Sequence, residues 1–325
     1  MENKVVFVIL ILLILLLLLG FFSVYAVYRV VFCHPLRMRP NARQIPDSNF
    51  YRAHKDRMLK VIEDMERTSH EEISILSEDG LRLCGKLYHE KEDAPLILFF
   101  HGYHGMAAWD GYGFFQLCKT NGFNLLTIDE RAHGKSEGNV ITFGIKERYD
   151  CKLWAEYAVK RFGEGTDIFL AGVSMGAASV MMSSTLGLPG NVRGIIEDCG
   201  YSGPADIIKE TIRVMKLPVK PVYQLIKLGA YLFGHFDLEA DTALGAVAKT
   251  NIPILFIQGE KDSVVPPSMG VELYEACKSP KELTLIEGAD HANSAMTDYE
   301  TYEKVILRFI KEKQEEEIKH DGEQE

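Results

Sequence analysis

Six short apolar runs without polar alternation constrain the fold of this 325-residue chain most strongly. Strands buried on both faces have this pattern, whereas half-exposed strands alternate apolar and polar residues. Helix-length segments separate most of the runs, and this alternation predicts a mainly parallel sheet with helices on both sides. The runs are 96–100, 124–128, 168–171, 194–196, 254–257 and 283–286. Before them, segments 72–76 and 81–87 alternate in period two around a turn and predict a hairpin.

The third run continues into the sequence Gly172-Val173-Ser174-Met175-Gly176. An apolar run, two glycines around a serine and then a helix-compatible segment predict a strand, a sharp turn and a helix. This is the nucleophile-elbow pattern, in which the serine hydroxyl stands clear of the backbone. The alternative is that Ser174 only caps a helix after a tight loop.

Polar residues that follow two later runs are candidates to activate Ser174. Ligand sites of parallel sheets form at the carboxyl ends of the strands, and Asp262 and His291 follow the last two runs. In this arrangement His291 accepts the proton of Ser174, and Asp262 fixes the tautomer of His291. The alternatives are another acid, or an ordinary surface histidine at position 291. The other acids are Asp198, Glu260 and Asp290.

The loop after the first run contains His101-Gly102-Tyr103-His104-Gly105. Its glycines allow the Tyr103 amide to face the same space as the Met175 amide, so that the two N–H groups hold a developing oxyanion. The alternative is a glycine-rich turn with a histidine that only packs. After the second run, we expect Asp129 and Arg131 to shape their loop and His133 not to be catalytic.

Residues 5–28 contain no charge and are long enough, as a helix, to cross a hydrocarbon layer of roughly 30 Å. An uncleaved membrane anchor is therefore expected, and a signal peptide cleaved after Val24-Tyr25-Ala26 is the alternative. Several arginines follow the span, and only Lys4 precedes it. The positive-inside rule then places the body on the cytoplasmic side, with a secreted or extracytoplasmic body as the alternative.

The predicted organisation has four parts. Residues 1–30 form the anchor, and residues 31–70 form a linker with an amphipathic helix over 47–67. Residues 71–312 form the main domain, with a small helical cap at about 204–250 and a final helix over 299–311. Residues 313–325 form a charged, solvated tail. The apolar stripe expected on the amphipathic helix consists of Phe50, Met58, Val61, Ile62 and Met65.

The net charge of −10, without a basic stripe, argues against a nucleic-acid partner. The six cysteines lie far apart and have no metal-ligand spacing with histidine, so we expect reduced thiols and no metal.

Over about residues 72–310 the chain resembles the α/β-hydrolase fold serine hydrolases. The matching motifs are His101-Gly102, Asp129-x-Arg131-x-His133-Gly134-x-Ser136, Gly172-x-Ser174-x-Gly176, Gly259-x-x-Asp262-x-x-Val265-Pro266 and Gly288-Ala289-Asp290-His291. Ala132 stands where the family usually has glycine. The anchor and the compact loops are similar to those of bacterial membrane-associated BEM46-like and prolyl-oligopeptidase-like hydrolases.

The resemblance implies a catalytic triad of Ser174, Asp262 and His291, oxyanion donors at Tyr103 and Met175, and no cofactor. It favours a membrane-anchored serine hydrolase that cleaves carboxylic esters, of small molecules or lipids, through an acyl-enzyme. The alternatives are a serine peptidase or an acyltransferase on the same fold, and a non-catalytic binding protein. Nothing in the sequence indicates an oligomeric state.

Overall fold

One eight-stranded sheet organises the protein. The structure is a computed structural model that describes residues 2–45 and 49–322, and side chains over residues 4–45 and 51–315. The strands are β1 (Glu71–Leu76), β2 (Arg82–Tyr88), β3 (Leu96–Phe100), β4 (Asn124–Asp129), β5 (Ile168–Val173), β6 (Val192–Asp198), β7 (Ile254–Gly259) and β8 (Lys281–Ile286). Their order in the sheet is β1-β2-β4-β3-β5-β6-β7-β8.

The sheet is mainly parallel, as predicted. Strands β3 to β8 run parallel to their neighbours, and β2 is antiparallel to both β1 and β4. Every residue of β3, β5 and β7 is buried, which explains why these runs lack polar alternation. The carboxyl ends of the parallel strands therefore share one edge.

Helices cover both faces of this sheet. They are α1 (Glu2–Phe32), α2 (Asn49–Arg52), α3 (Lys55–Arg67), α4 (Ala107–Asp110), α5 (Tyr112–Asn121), α6 (Glu147–Phe162), α7 (Met175–Ser183), α8 (Pro204–Val214), α9 (Val219–Gly229), α10 (Ala243–Val247), α11 (Pro267–Ala276), α12 (Ser294–Thr297) and α13 (Tyr299–Gly322). A 3-10 turn spans Leu36–Met38, and a π-helical turn spans Ala230–Gly234. The architecture is the α/β-hydrolase fold.

Two hydrophobic cores lie on opposite faces of the sheet. One contains the end of α1 with residues of α6, α7 and the segment 204–250, including Trp154 and Met181. The other contains residues of α3, α5 and α13, including Phe114 and Phe309. The segment 204–250 contributes α8, α9, the π-helical turn and α10 to the first core.

The amphipathic helix predicted over 47–67 is two helices, α2 and α3, separated by a turn at Ala53 and His54. Asp47, Ser48 and the side chain of Phe50 lie outside the described residues. The other predicted stripe residues, Met58, Val61, Ile62 and Met65, are buried against the body.

The final helix, α13, continues to Gly322 instead of ending at residue 311. Gln314 donates a 2.8 Å hydrogen bond to Asp167, so the start of the predicted solvated tail contacts the body. The charge of the segment did not predict this contact, because a mainly charged helix can still pack one of its faces on the body.

The apolar helix α1 is a candidate membrane span over Lys4–Phe32. Its last turns also belong to the folded body, because Val24, Tyr28 and Phe32 are buried at four-residue spacing. Beyond α1, Cys33 forms a β-bridge with Val140. The predicted linker is thus fastened to the body from its first residues.

Candidate active site

Ser174 occupies a strained turn between β5 and α7. Its φ of 54° and ψ of −112° lie in a region that non-glycine residues rarely adopt. The flanking glycines make this bend possible. A Cβ at Gly176 would lie 2.1 Å from the Phe100 carbonyl oxygen, and one at Gly172 would lie 2.4 Å from the Gly176 carbonyl carbon. The Ser174 hydroxyl is thereby presented at the carboxyl edge of the sheet.

The loops after β7 and β8 bring Asp262 and His291 to this hydroxyl. His291 Nε2 lies 3.0 Å from Ser174 Oγ, and His291 Nδ1 lies 2.9 Å from Asp262 Oδ2. In the tautomer that suits both contacts, Nδ1–H donates to the carboxylate and Nε2 accepts from the hydroxyl. This is the arrangement in which a histidine can accept the serine proton.

The Asp262 carboxylate is held by several donors. Its Oδ1 accepts hydrogen bonds from the backbone N–H groups of Val264 at 2.9 Å and Val265 at 2.8 Å. Gln258 donates from Nε2 to Oδ2 at 3.2 Å. The side chain is fully buried. Its orientation toward His291 is therefore determined by the backbone of its own loop.

Opposing effects act on the pKa of His291. Burial lowers this pKa. The hydrogen bond and negative charge of Asp262 raise it by more than burial lowers it, so the pKa lies above its ordinary value of 6.5. A cation on His291 is thus stabilised, as the transfer of a proton from Ser174 requires.

The alternative acids lie elsewhere. Asp198 accepts a 2.8 Å hydrogen bond from Ser294, and burial raises the pKa of Asp198 to about 7. The backbone carbonyl of Asp198 accepts from the Ser174 N–H at 2.9 Å. Asp290 accepts from Ser263 and from the His291 backbone N–H, while Glu260 is exposed. The contact with His291 Nδ1 is made by Asp262.

The Tyr103 loop lies directly against the elbow. A Cβ at Gly102 would lie 3.4 Å from Ser174 Cβ, and Met175 is the first residue of α7. Within the described residues, neither the Tyr103 N–H nor the Met175 N–H has a hydrogen-bond partner in the protein. Both N–H groups can therefore donate to a bound group. The phenol of Tyr103 points away and donates to the Val31 carbonyl of α1 at 2.8 Å.

No sequence pattern singles out Asp110, yet this buried residue holds the Tyr103 loop. Its Oδ2 accepts from the Gly102 N–H at 2.8 Å, and its Oδ1 accepts from the Tyr51 hydroxyl at 3.1 Å. Burial raises the pKa of Asp110 despite these donors. A buried acid in a four-residue helix has no periodic signal, so only the contact reveals its role.

The residues of the β4 loop contact the body through ion pairs and hydrogen bonds. Arg131 forms an ion pair with Asp150 at 2.6 Å, and His133 is fully buried. His133 accepts a hydrogen bond from the His104 N–H at 3.2 Å. Ala132 adopts a φ of 62°, the left-handed conformation that glycine favours, so the alanine keeps the turn that the family pattern requires.

Three donor groups of the site lie close enough to hold a metal ion. Ligand atoms of Cys199, Asp262 and His291 lie within 4.8 Å of one another. A metal ion there would compete for the atoms that join Asp262 to His291. Across the part of the chain that the structure describes, this is the one such group of three or more. It belongs to the Ser174 site.

A cleft of about 590 Å³ opens away from this site. It is lined by the linker, α3 and strands β1, β2 and β4, with charged side chains that include Glu72, Lys86 and Lys135. Ser174, Asp262 and His291 do not line it. The cleft is therefore separate from the contacts among these three residues.

Two protein families match the chain. The family described as serine aminopeptidase, S33 matches residues 91–235, which contain Tyr103 and Ser174. The family described as serine hydrolase (FSH1) matches residues 226–292, which contain Asp262 and His291.

Relatives and solved structures extend over most of the chain. YqkD of Bacillus subtilis is 26% identical over 267 residues, covering 81% of this chain and 87% of YqkD. Bem46 of Schizosaccharomyces pombe is 25% identical over 252 residues, covering 75% and 77%. The Pyrococcus furiosus esterase Pf2001 superposes with a TM-score of 0.63 at 23% identity, covering 77% of this chain and 93% of the esterase. At that identity the superposition shows the fold.

The expected resemblance to BEM46-like hydrolases is thus confirmed by the match to Bem46. Three observations indicate the same fold: the strand-end motifs of the sequence, the parallel sheet, and the matches to two serine hydrolase families. The chain therefore has the α/β-hydrolase fold, and it is similar to serine hydrolases of this fold and to Bem46.

Proposed function

We propose that the protein is a membrane-anchored serine esterase with Ser174 as nucleophile. The observation that carries the proposal is the continuous contact from Ser174 Oγ through the His291 ring to Asp262, at 3.0 Å and 2.9 Å. A purely structural role would not require a strained serine, an imidazole and a buried carboxylate to be in contact in this order.

In the proposed reaction, Ser174 Oγ attacks the carbonyl carbon of an ester while His291 Nε2 takes the hydroxyl proton. The N–H groups of Tyr103 and Met175 donate to the carbonyl oxygen as it becomes an oxyanion. His291 then gives its proton to the leaving alcohol, and an acyl group remains on Ser174. Water repeats the sequence, with His291 as base, and releases the acid and free Ser174.

The test is labelling by a fluorophosphonate, which reacts with an activated serine hydroxyl. We expect the wild-type protein to label and Ser174→Ala to lose all labelling. The matched control is Ser179→Ala in α7, the helix that follows Ser174. The Ser179 hydroxyl is buried and donates to the Met175 carbonyl at 2.8 Å. Equal labelling of Ser174→Ala and wild type would refute the proposal, and failure of wild type to label would favour the binding-protein alternative.

The ester preference is a separate part of the proposal. It is supported by the superposition with an esterase, whereas the family description of residues 91–235 as a serine aminopeptidase favours a peptidase as the second candidate. p-Nitrophenyl esters of graded chain length and amino-acid p-nitroanilides, assayed side by side, distinguish the two. Faster turnover of the anilides would identify the peptidase, and transfer to an added alcohol would identify an acyltransferase.

We further propose that α1 is an uncleaved anchor with the body on the cytoplasmic side. The support is the burial of Val24 against the body, since a cleavage after Ala26 would remove this buried side chain. Arg37 and Arg39 follow the candidate span, which agrees with the positive-inside rule.

A further inference from the structure

Segment 204–234, which contains α8, α9 and the π-helical turn, exposes large apolar side chains beside α1. We call this surface the cap apolar face. Its residues are Val214, Met215, Leu217, Leu225, Leu228, Tyr231 and Leu232. After the end of α1, the described part of the chain exposes few other large apolar side chains, namely Leu36, Met38, Leu76 and Leu285. The exposure is thus concentrated in one surface segment.

The helical spacing separates this face from the core. Leu225, Leu228 and Leu232 recur at three- and four-residue steps on the outside, whereas Tyr223 and Ile226 are buried. α9 is therefore apolar on both its inner and its outer side. A helix that only covers an active site needs no apolar outer side in water.

The cap apolar face lies next to the exposed apolar surface of α1. The ring of Phe233 lies 5.3 Å from the ring of Phe21 and 5.1 Å from that of Tyr25. Gly229 allows close approach, because a Cβ there would lie only 3.0 Å from Tyr28 Cβ. The two helices thus form one apolar surface.

The length of α1 indicates how deep in the bilayer the contact between α1 and the cap lies. About 20 helical residues fill the hydrocarbon layer, so a span that begins near Val5 leaves that layer near Val24. The contact with Phe233 extends from Phe21 to Tyr28. The cap therefore lies where acyl chains meet headgroups.

The charges of the segment fit that location. Residues 204–234 contain Lys209, Arg213, Lys216, Lys220 and Lys227 against Asp206 and Glu210, in a chain whose net charge is −10. Apolar side chains with flanking basic residues are typical of helices that bind an anionic bilayer surface.

We propose that the cap apolar face binds the lipid bilayer beside α1, and that the substrate is an amphiphilic ester that reaches Ser174 from this bilayer. The second part rests on the esterase function proposed above. Buried and half-buried aromatic rings connect the end of α1 with the Tyr103 loop, from Phe32 to Phe143 at 5.9 Å and from Phe143 to Tyr103 at 4.9 Å, so the Ser174 site lies close to the end of the proposed span.

The test places a fluorescent probe on the cap of the full chain in vesicles of phosphatidylcholine and phosphatidylglycerol. Leu228→Cys and Tyr231→Cys are labelled with bimane in a Cys33→Ser background, because the other native cysteines are buried. The matched control is Leu285→Cys on the edge strand β8, since Leu228 and Leu285 are 43% and 45% exposed. We expect lipids brominated on the acyl chains to quench the two cap probes and not the control.

Equal quenching of cap and control probes would overturn the proposal. A cap probe that is shielded from aqueous iodide but not quenched by brominated lipids would also overturn it, because a protein partner would then cover the face. Fluorophosphonate labelling in the same vesicles keeps the two proposals distinct. Lipid quenching without labelling contradicts the esterase, and labelling without lipid quenching contradicts membrane binding by the cap.

Substrate entry is tested with Leu228→Glu against Leu285→Glu. We expect Leu228→Glu to lose hydrolysis of a long-chain ester carried in the vesicles while its rate of fluorophosphonate labelling matches that of Leu285→Glu. If both variants hydrolyse the vesicle-borne ester equally well, entry from the bilayer is wrong.

Discussion

His291 illustrates how two neighbours determine the behaviour of one side chain. Burial alone favours the neutral ring, and Asp262 more than reverses this effect, so the pKa of His291 is raised above 6.5. A general base acts only when neutral. The raised pKa therefore predicts that kcat/KM falls as the pH drops through a value above 6.5. The midpoint of this fall, the acid limb of the pH profile, gives the apparent pKa of the Asp262–His291 pair.

Asp262→Asn should change this limb in a defined direction. Without the charge and the hydrogen bond of the carboxylate, the pKa of His291 falls, so the acid limb of kcat/KM moves to lower pH. The rate should also fall by about 10⁴, because an amide no longer selects the required tautomer. A pH profile of kcat/KM with a soluble ester measures both effects.

The control for this profile is Glu260→Gln, which removes an exposed carboxylate from the same loop. Its acid limb should coincide with that of the wild type. A limb that moves equally in both variants would mean that general surface charge, and not the contact with Asp262, sets the pKa of His291.

At the scale of elements, the contact between α1 and α9 joins the proposed membrane helix to the cap. Gly229 faces Tyr28 so closely that a Cβ would lie 3.0 Å from Tyr28 Cβ and 3.3 Å from the Val24 carbonyl oxygen. Small residues permit such close helix contacts in membranes. The end of α1 also accepts the hydrogen bond of the Tyr103 hydroxyl, so the contact reaches the Tyr103 loop.

Gly229→Val should therefore destabilise the protein by about 1–3 kcal/mol, the usual cost of overpacking. Thermal unfolding of the full chain in detergent measures this change as a lower midpoint. The matched control is Gly20→Val in α1, where a Cβ has no neighbour within 4 Å. A midpoint that falls equally in both variants, or in neither, would contradict a tight contact between α1 and α9.

For the whole molecule, the decisive question is whether α1 remains attached. Cleavage after Ala26 would remove Val24, which is buried, and the rings of Phe21 and Tyr25 that contact Phe233. We therefore expect the mature protein to retain residues upstream of Val27 and to stay in the membrane after alkaline extraction. Intact mass and amino-terminal sequencing measure this.

Ala26→Leu provides the control, because signal cleavage requires a small residue at this point. Ala26 is exposed, so the larger side chain does not disturb the body. Apart from the substitution, the wild type and Ala26→Leu should have the same length. A wild-type protein that begins near Val27 while the variant does not would identify a signal peptide.

Local sequence patterns predicted some features of the fold and the site but not others. The glycines around Ser174 and the apolar runs are features of neighbouring residues, so the elbow and the parallel sheet were predictable. The predicted helix over 47–67 was wrong in its continuity, since nothing in the apolar stripe reveals the turn at Ala53 and His54.

The sequence by itself determined the parallel sheet and the positions of Ser174, Asp262 and His291 after their strands, because periodicity and turn residues act within a few residues of one another. Only the tertiary structure decided which acid contacts His291, that Asp110 holds the Tyr103 loop, and that α1 packs on the cap. Each of these is a contact between segments far apart in the chain. Such contacts depend on strand order, loop geometry and the complementary shapes of packed surfaces, which local patterns do not encode.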